Sequence, residues 1–437
     1  MRACKLDPAR PSPNPPVPSR PPSSEAGLRP LRFAVATAAV LATGSPAWLG
    51  ACATYEVAPA GPSEPPPAPV PESDSGAPLD AAPPCTVDCE YYLETCSEDV
   101  LCPNGLVDST KPVAEPGQLD PRTRIHLVRG RSPSDVWALG SLGTLAHFDG
   151  TSWRPSQLPV AVESPLGRLP TIAALWLRDG YEVGVGGLDR VFARNYVDPG
   201  VDAGASVDGW TDHGAPTMAS APGYNIRQQR LMFGWGAPGA EWLWLATMRT
   251  SAGSNMGGLA RLRVTPSKTF EGNVAKTHSV TFAGMHGASA EEVWAVGMNG
   301  VAMRVTNADG DSPSFKLYDS QTRNALYGVW AASESDAWAV GFAGTIRHYV
   351  GDPAVWEPVA DIPTTAQLNA VWGSSSSDVW AVGNDAIVLH YDGTRWSRMK
   401  IGGLGSRRPD LTTVWTAGPG HVWVGGDGVL LSLGGKP

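Results

Sequence analysis

The residues of this chain whose types could do chemistry are its histidines and a recurring carboxylate set just before a tryptophan. His147, His348 and His390 stand in the similar settings LAHF, IRHY and VLHY. Asp135, Asp336 and Asp378 occur as S-D-V-W or S-D-A-W, and Glu292 takes that place once more. A carboxylate and an imidazole at hydrogen-bond distance from a substrate would serve as general acid and base. Their repetition in one local context points elsewhere. Equivalent positions of a repeat lie in different sectors of a molecule and could converge only on a central channel, so the three histidines read as repeat structure on a third strand and the carboxylates as turn caps. His126, His213, His278, His286 and His421 show no metal-ligand spacing.

One loop, Tyr196 to Gly214, gathers Asp198, Asp202, Asp208 and Asp212 among glycines. Oxygen-rich flexible loops can hold calcium, but the spacing fits no EF-hand and a solvated loop is the plainer reading. With Thr250 to Thr277 it interrupts the repeats, and function sits preferentially on loops carried by a rigid scaffold. Cys85, Cys89, Cys96 and Cys102, spaced C-x3-C-x6-C-x5-C, read as two disulfides of open connectivity. The alternative, a zinc site, lacks the paired C-x2-C knuckles of common structural sites. There is no G-x-S-x-G, P-loop, H-E-x-x-H or dinucleotide fingerprint in a βαβ setting. No catalytic residue and no cofactor is assigned.

These residues are positioned by a repeat. Trp294, Trp338, Trp380 and Trp423 recur about every 43 residues, the period of a propeller blade, and Trp137 belongs to the same series. Each unit holds short apolar runs, such as Leu368 to Trp372, Val379 to Val382 and Ile387 to Tyr391, separated by Ser, Asp and Gly. Runs of that length, rich in β-branched and aromatic residues, favour strands. Asp392-Gly393 supplies a hairpin turn, and Gly393 to Trp396 opens a fourth strand. A lone four-stranded blade cannot bury both faces, whereas a closed ring of blades buries them and protects the edges. The recurring tryptophans are accordingly expected to pack between blades.

Five units are plain, and two degenerate ones, with Val183 and Trp244 in the tryptophan place, lie between Trp153 and Gly284. The expected fold is all-β: a β-propeller of seven four-stranded blades, six or eight also fitting the degenerate middle. The last unit ends after its third strand, so a closing strand is expected from the segment before Ile125, within Leu106 to Glu115.

The N-terminal quarter reads differently. Residues 1–51 form an Arg- and Pro-rich leader followed by the apolar run Phe33 to Leu49, too short and interrupted for a transmembrane helix. Leu49-Gly50-Ala51-Cys52 resembles a bacterial lipoprotein signal, which implies cleavage before Cys52 and its lipidation. Residues 52–84, rich in Pro, Ala, Glu and Ser, read as a disordered tether, residues 85–105 as a Cys-rich segment and 106–437 as the propeller. A formal net charge of −9 and no basic run beyond the leader argue against a nucleic-acid partner.

The S-x-D-V-W-A-V-G…H-Y-D-G-x-x-W unit resembles BNR-like, Kelch-like or photosystem-assembly-factor-like propellers. Asp149 to Trp153 and Asp392 to Trp396 look like the Asp-box of sialidase-type propellers but lack the residue between Asp and Gly. Propellers carry unrelated activities, so the likeness speaks for fold rather than function. The expected role is a non-catalytic, monomeric cell-envelope lipoprotein, anchored by its lipid to the outer membrane, whose propeller binds a protein or glycan. The alternatives are a glycan-acting hydrolase or lyase with its site at the channel mouth, or an envelope assembly scaffold.

Overall fold

The computed structural model describes residues 88–159, 171–196, 205–219, 229–249 and 257–436. The leader, Cys52, the tether, Cys85, Asp198 and Asp202 lie outside the described residues. Among the described residues no helix is long and apolar enough to cross a membrane.

The apolar runs are strands, and both of their faces are covered. Asp336–Gly341, DAWAVG, is buried at every residue but its first, as is Asp378–Gly383. Such strands read as continuous apolar runs rather than alternating ones because neighbouring sheets pack on either side. Among the described residues seven sheets result. Five are four-stranded antiparallel meanders in chain order, from Ile125–Ser132 to Trp153–Ser156, Ala174–Arg178 to Trp210–Asp212, Phe282–Ser289 to Ser314–Tyr318, Leu326–Ser333 to Glu357–Pro358, and Leu368–Ser375 to Trp396–Arg398. The sheet that follows the second of these runs Gln229–Trp235, Leu243–Arg249, Gly257–Val264 and Phe270–His278, with Thr217–Ala219 added in parallel on its outer strand. Thr250 to Thr277 is thus no interrupting loop: most of it forms the third and fourth strands of a blade. Its polar fourth strand sits on the outer face of the ring, where no apolar alternation is demanded of it.

The last sheet joins strands distant in the sequence. Leu411–Gly418, His421–Gly426 and Val429–Leu433 are completed by Leu101–Pro103, with Leu101 opposite Leu433 and Pro103 opposite Leu431. The closing strand therefore lies upstream of Leu106–Glu115, inside the Cys-rich segment. Ile401–Gly402 and Tyr92–Leu93 extend the same sheet.

The first strand of each sheet packs on the first strand of the next, and Leu411–Gly418 packs back on Ile125–Ser132. That last junction is also hydrogen-bonded, the Val128 amide donating to Thr413 Oγ1 at 3.1 Å. The recurring tryptophans fill the spaces between sheets. Trp137 lies with Leu175, Phe192 and Trp210 of the following sheet, and Trp338 with Val371, Val379 and Trp396. Trp137, Trp244, Trp294, Trp338, Trp380 and Trp423 are all buried. Truncating one to alanine would remove about 3–5 kcal/mol.

Candidate functional site

The histidines of the repeat do not meet. Each closes a small cluster within its own sheet, the imidazole Nε2 bonded to the carboxylate twelve residues earlier: His147 to Asp135 at 2.8 Å, His348 to Asp336 at 2.8 Å, His390 to Asp378 at 2.7 Å. Each imidazole stacks on the tryptophan between them in space, with ring centroids 4.3 Å apart at Trp137, 3.7 Å at Trp338 and 4.2 Å at Trp380. Burial alone would raise these three carboxylic acids, but hydrogen bonds outweigh it and hold them below the usual range. The histidine is the strongest of the donors, joined by Arg131 at Asp135 and by Ser374 and Trp380 at Asp378. The sheet with Glu292 keeps the device with other groups, Arg304 pairing with Glu292 across the same twelve residues. These clusters fix blades in place.

A different set of residues does converge. On the first strand of each sheet, one residue lies opposite the second-strand tryptophan position. Around the ring these are Arg129, Trp176, Trp235, His286, Trp330, Trp372 and Trp415, opposite Trp137, Val183, Trp244, Trp294, Trp338, Trp380 and Trp423. Where the position holds tryptophan, the indole usually lies over a glycine of the next sheet. A Cβ on Gly236 would stand 2.8 Å from Trp176, one on Gly287 3.0 Å from Trp235, one on Gly373 2.6 Å from Trp330 and one on Gly130 2.5 Å from Trp415. Only glycine admits so close an approach.

Three positions break the pattern. His286 is smaller than tryptophan, and the residue it meets is Ala331 instead of glycine, whose amide donates to His286 Nδ1 at 3.0 Å. Arg129 and Trp372 precede sheets that carry Leu177 and Thr416 in the glycine place. With no bare backbone to cover, both side chains turn to the axis and meet, the Arg129 guanidinium 4.1 Å above the Trp372 ring. His286 presents its ring to Trp372 in an edge-on contact at 4.7 Å.

There the first strands surround a cavity of about 270 Å³, with residues of all seven sheets and the bulk of its wall from Leu127, Arg129, Leu175, Leu177, Trp235, His286, Trp372 and Trp415. Its electrostatics are simple. Arg129 is its charged side chain, and no Asp or Glu lines it. Burial lowers the Arg129 guanidinium to about 9, still cationic near neutrality. Burial first, then the Arg129 charge, pushes His286 down to about 3, so that imidazole is neutral. The hydrogen bond received at Nδ1 leaves the ring proton on Nε2. A wall of indoles, aliphatic side chains and one fork-shaped cation suits binding, and two opposed carboxylates for glycoside hydrolysis are not among its groups. The sequence carried a signal for this site in tryptophans eight residues before Trp338, Trp380 and Trp423, replaced by Arg129 before Trp137 and His286 before Trp294.

The described residues of the aspartate loop do not line this cavity. Asp208 accepts the Gln157 amide at 2.6 Å, and Asp212 accepts that of Gly214 at 2.9 Å from within a fourth strand. No group of three or more His, Cys, Asp or Glu that could hold a metal occurs among the described residues. Of the cysteines, Cys96 and Cys102 form a disulfide with Cα atoms 6.0 Å apart, and Cys89 is also disulfide-bonded.

No protein-family model matches the chain, and no curated protein does. Solved structures do. YCF48 from Cyanidioschyzon merolae superposes with a TM-score of 0.52 at 14% identity, covering 73% of this chain and 98% of that one. YCF48 bound to D1 peptide superposes with a TM-score of 0.51 at 14% identity, covering 71% and 92%. At such identity the likeness concerns architecture alone, and the architecture is that of an all-β propeller built on four-stranded blades.

Proposed function

We propose that the chain is a cell-envelope lipoprotein, held at the membrane through Cys52, whose propeller is a ring of seven blades that binds a protein partner by a peptide segment entering the axial cavity. The observation that carries this reading is the cavity wall, where Arg129 and Trp372 leave the inter-sheet packing and turn inward. Concave sites of this kind, mostly apolar with a few polar groups, are built to hold ligands. A neighbour of the same architecture was solved with a D1 peptide bound, which supports a peptide as ligand class. The Leu49-Gly50-Ala51-Cys52 sequence supports the lipid anchor.

The test is affinity capture with the full chain from detergent-solubilised membranes, run beside Cys52→Ser and Trp372→Ala. The reading expects an envelope protein retained by wild type and lost with Trp372→Ala, and membrane fractionation lost with Cys52→Ser. Equal membrane partition of Cys52→Ser would remove the anchor. Cleavage of a glycan with no captured protein would replace the binding module with an enzyme.

A further inference from the structure

We infer that the axial cavity is a carboxylate site, taking a carboxylate of the bound peptide on Arg129 with the adjoining apolar group against Trp372 and Trp415. This deepens the binding-module reading and rests on it.

The charge is the first reason. A guanidinium offers five N–H donors in a planar fork. In Arg129 the hydrogen bond found is the one from Nη1 to the Val128 carbonyl, 2.7 Å, and the side chain forms no ion pair among the described residues. Other partly buried arginines of the ring meet carboxylates: Arg131 meets Asp135 and Glu182, Arg194 meets Glu182, and Arg304 meets Glu292. A cation withdrawn from water without a counter-charge is costly, and Trp372 offsets only part of that cost through its π face. An incoming carboxylate would offset the rest.

The shape is the second. A carboxylate matches the guanidinium fork bidentately. The surrounding indoles and leucines favour an anion that carries carbon, since a fully hydrated inorganic ion would leave them nothing to cover. Neutral His286 adds no competing charge, and no acidic side chain in the wall repels the ligand. Extended peptides offer such a carboxylate either at the C-terminus or on a Glu or Asp side chain.

The experiment is a titration of the full chain, followed by tryptophan fluorescence, with three peptides of one sequence. The first ends in a free Ala-Leu carboxylate, the second is its amide, and the third is the amide with Glu replacing Leu. The inference expects the first or third to bind at least about tenfold more tightly than the second, the size of one charge-assisted hydrogen-bond pair. Which of the two binds identifies the source of the carboxylate. Arg129→Met should abolish the preference and Arg129→Lys should keep part of it. Arg129→Met should melt at or above wild type, because it removes an uncompensated charge. Equal binding of acid and neutral amide, an unchanged preference in Arg129→Met, or inorganic phosphate competing as well as the acidic peptide would each overturn it. So would a melting point lower by about 5 °C or more in Arg129→Met, which would make that side chain a packing element. An envelope partner still captured by Arg129→Met would sink the carboxylate site and leave the binding module standing.

Discussion

Ala331 donates its amide hydrogen to His286 Nδ1 at 3.0 Å, so that a ring position held by tryptophan in most sheets is here a neutral imidazole bonded to the sheet beside it. An imidazolium could not accept that bond, and it would stand near the Arg129 cation in a buried place. Both facts give the protein a pH dependence. Folded His286 is held down to about 3, mainly by burial and then by Arg129, against 6.5 in an open chain. The unfolded chain therefore takes up a proton first as pH falls below 6.5. The stability owed to this group is complete above 6.5 and declines down to about 3, by up to about tenfold in the unfolding constant per pH unit. Asp135, Asp336 and Asp378, depressed in the fold, add a loss of the same sign only at more acid pH, below their ordinary value of 3.8. Urea midpoints measured at pH 7, 6, 5 and 4 should fall for wild type and fall less for His286→Gln. Parallel curves would show that the imidazole does not govern the range.

The match between His286 and Ala331 is one of size, and a double-mutant cycle reads it. His286→Trp puts an indole where the next sheet carries a methyl group, and should cost about 1–3 kcal/mol by overpacking. Ala331→Gly alone should be mildly destabilising through backbone freedom. Together they restore the tryptophan-over-glycine arrangement seen at Trp330 and Gly373. Their combined cost should fall short of the sum by about 1 kcal/mol. Strict additivity in denaturant melts would show that the two positions do not pack on each other.

The tryptophan-over-glycine rule was open to view in the sequence, as V-W-G before Ser374 and as the V-W pairs ending at Trp330 and Trp415. The second-strand tryptophans are the plainer signal because they repeat more strictly. What no single stretch discloses is why Trp372 turns to the axis: the cause is Thr416, forty-four residues on and across a sheet boundary. Leu101–Pro103 was hidden for another reason. Three residues, one a proline and one a disulfide cysteine, carry no alternation, and only the unsatisfied edge of Val429–Leu433 calls for a strand there. Phe270–His278 was hidden because an outer strand need not be apolar.

Glu182 replaces the aliphatic residue that Val136 supplies in the first sheet, and it is buried with Arg131 at 2.9 Å and Arg194 at 3.3 Å. Arg131 belongs to the preceding sheet and also donates to the carbonyls of Arg178 and Tyr181 at 2.7 and 2.9 Å. The carboxylate thus ties two blades through one guanidinium. Glu182→Ala leaves two cations facing an empty space and should cost about 3 kcal/mol. Glu182→Leu, which restores an apolar side chain, should recover little while both arginines remain. A loss below about 1 kcal/mol in Glu182→Ala would show that solvent reaches the pair and screens it.

The ring is closed by a strand that a disulfide holds. Cys102 lies in Leu101–Pro103, opposite Ser432, and is bonded to Cys96 six residues earlier. A three-residue strand more than three hundred residues from its partner gains few ladder bonds, so its docking depends on how far its freedom is limited beforehand. Closing so short a loop removes unfolded-state entropy worth about 2 kcal/mol. Cys102→Ser should lower stability by about that amount, and the Cys96→Ser variant should match it, since either removes the same constraint. Hydrogen exchange should localise the effect to Leu101–Pro103 and its partner Val429–Leu433, with the Leu326–Ser333 and Leu368–Ser375 strands unchanged. Faster exchange spread evenly around all blades would mean that the closing strand governs the whole ring, and no change at either strand would show that the strand pairing holds without the bridge.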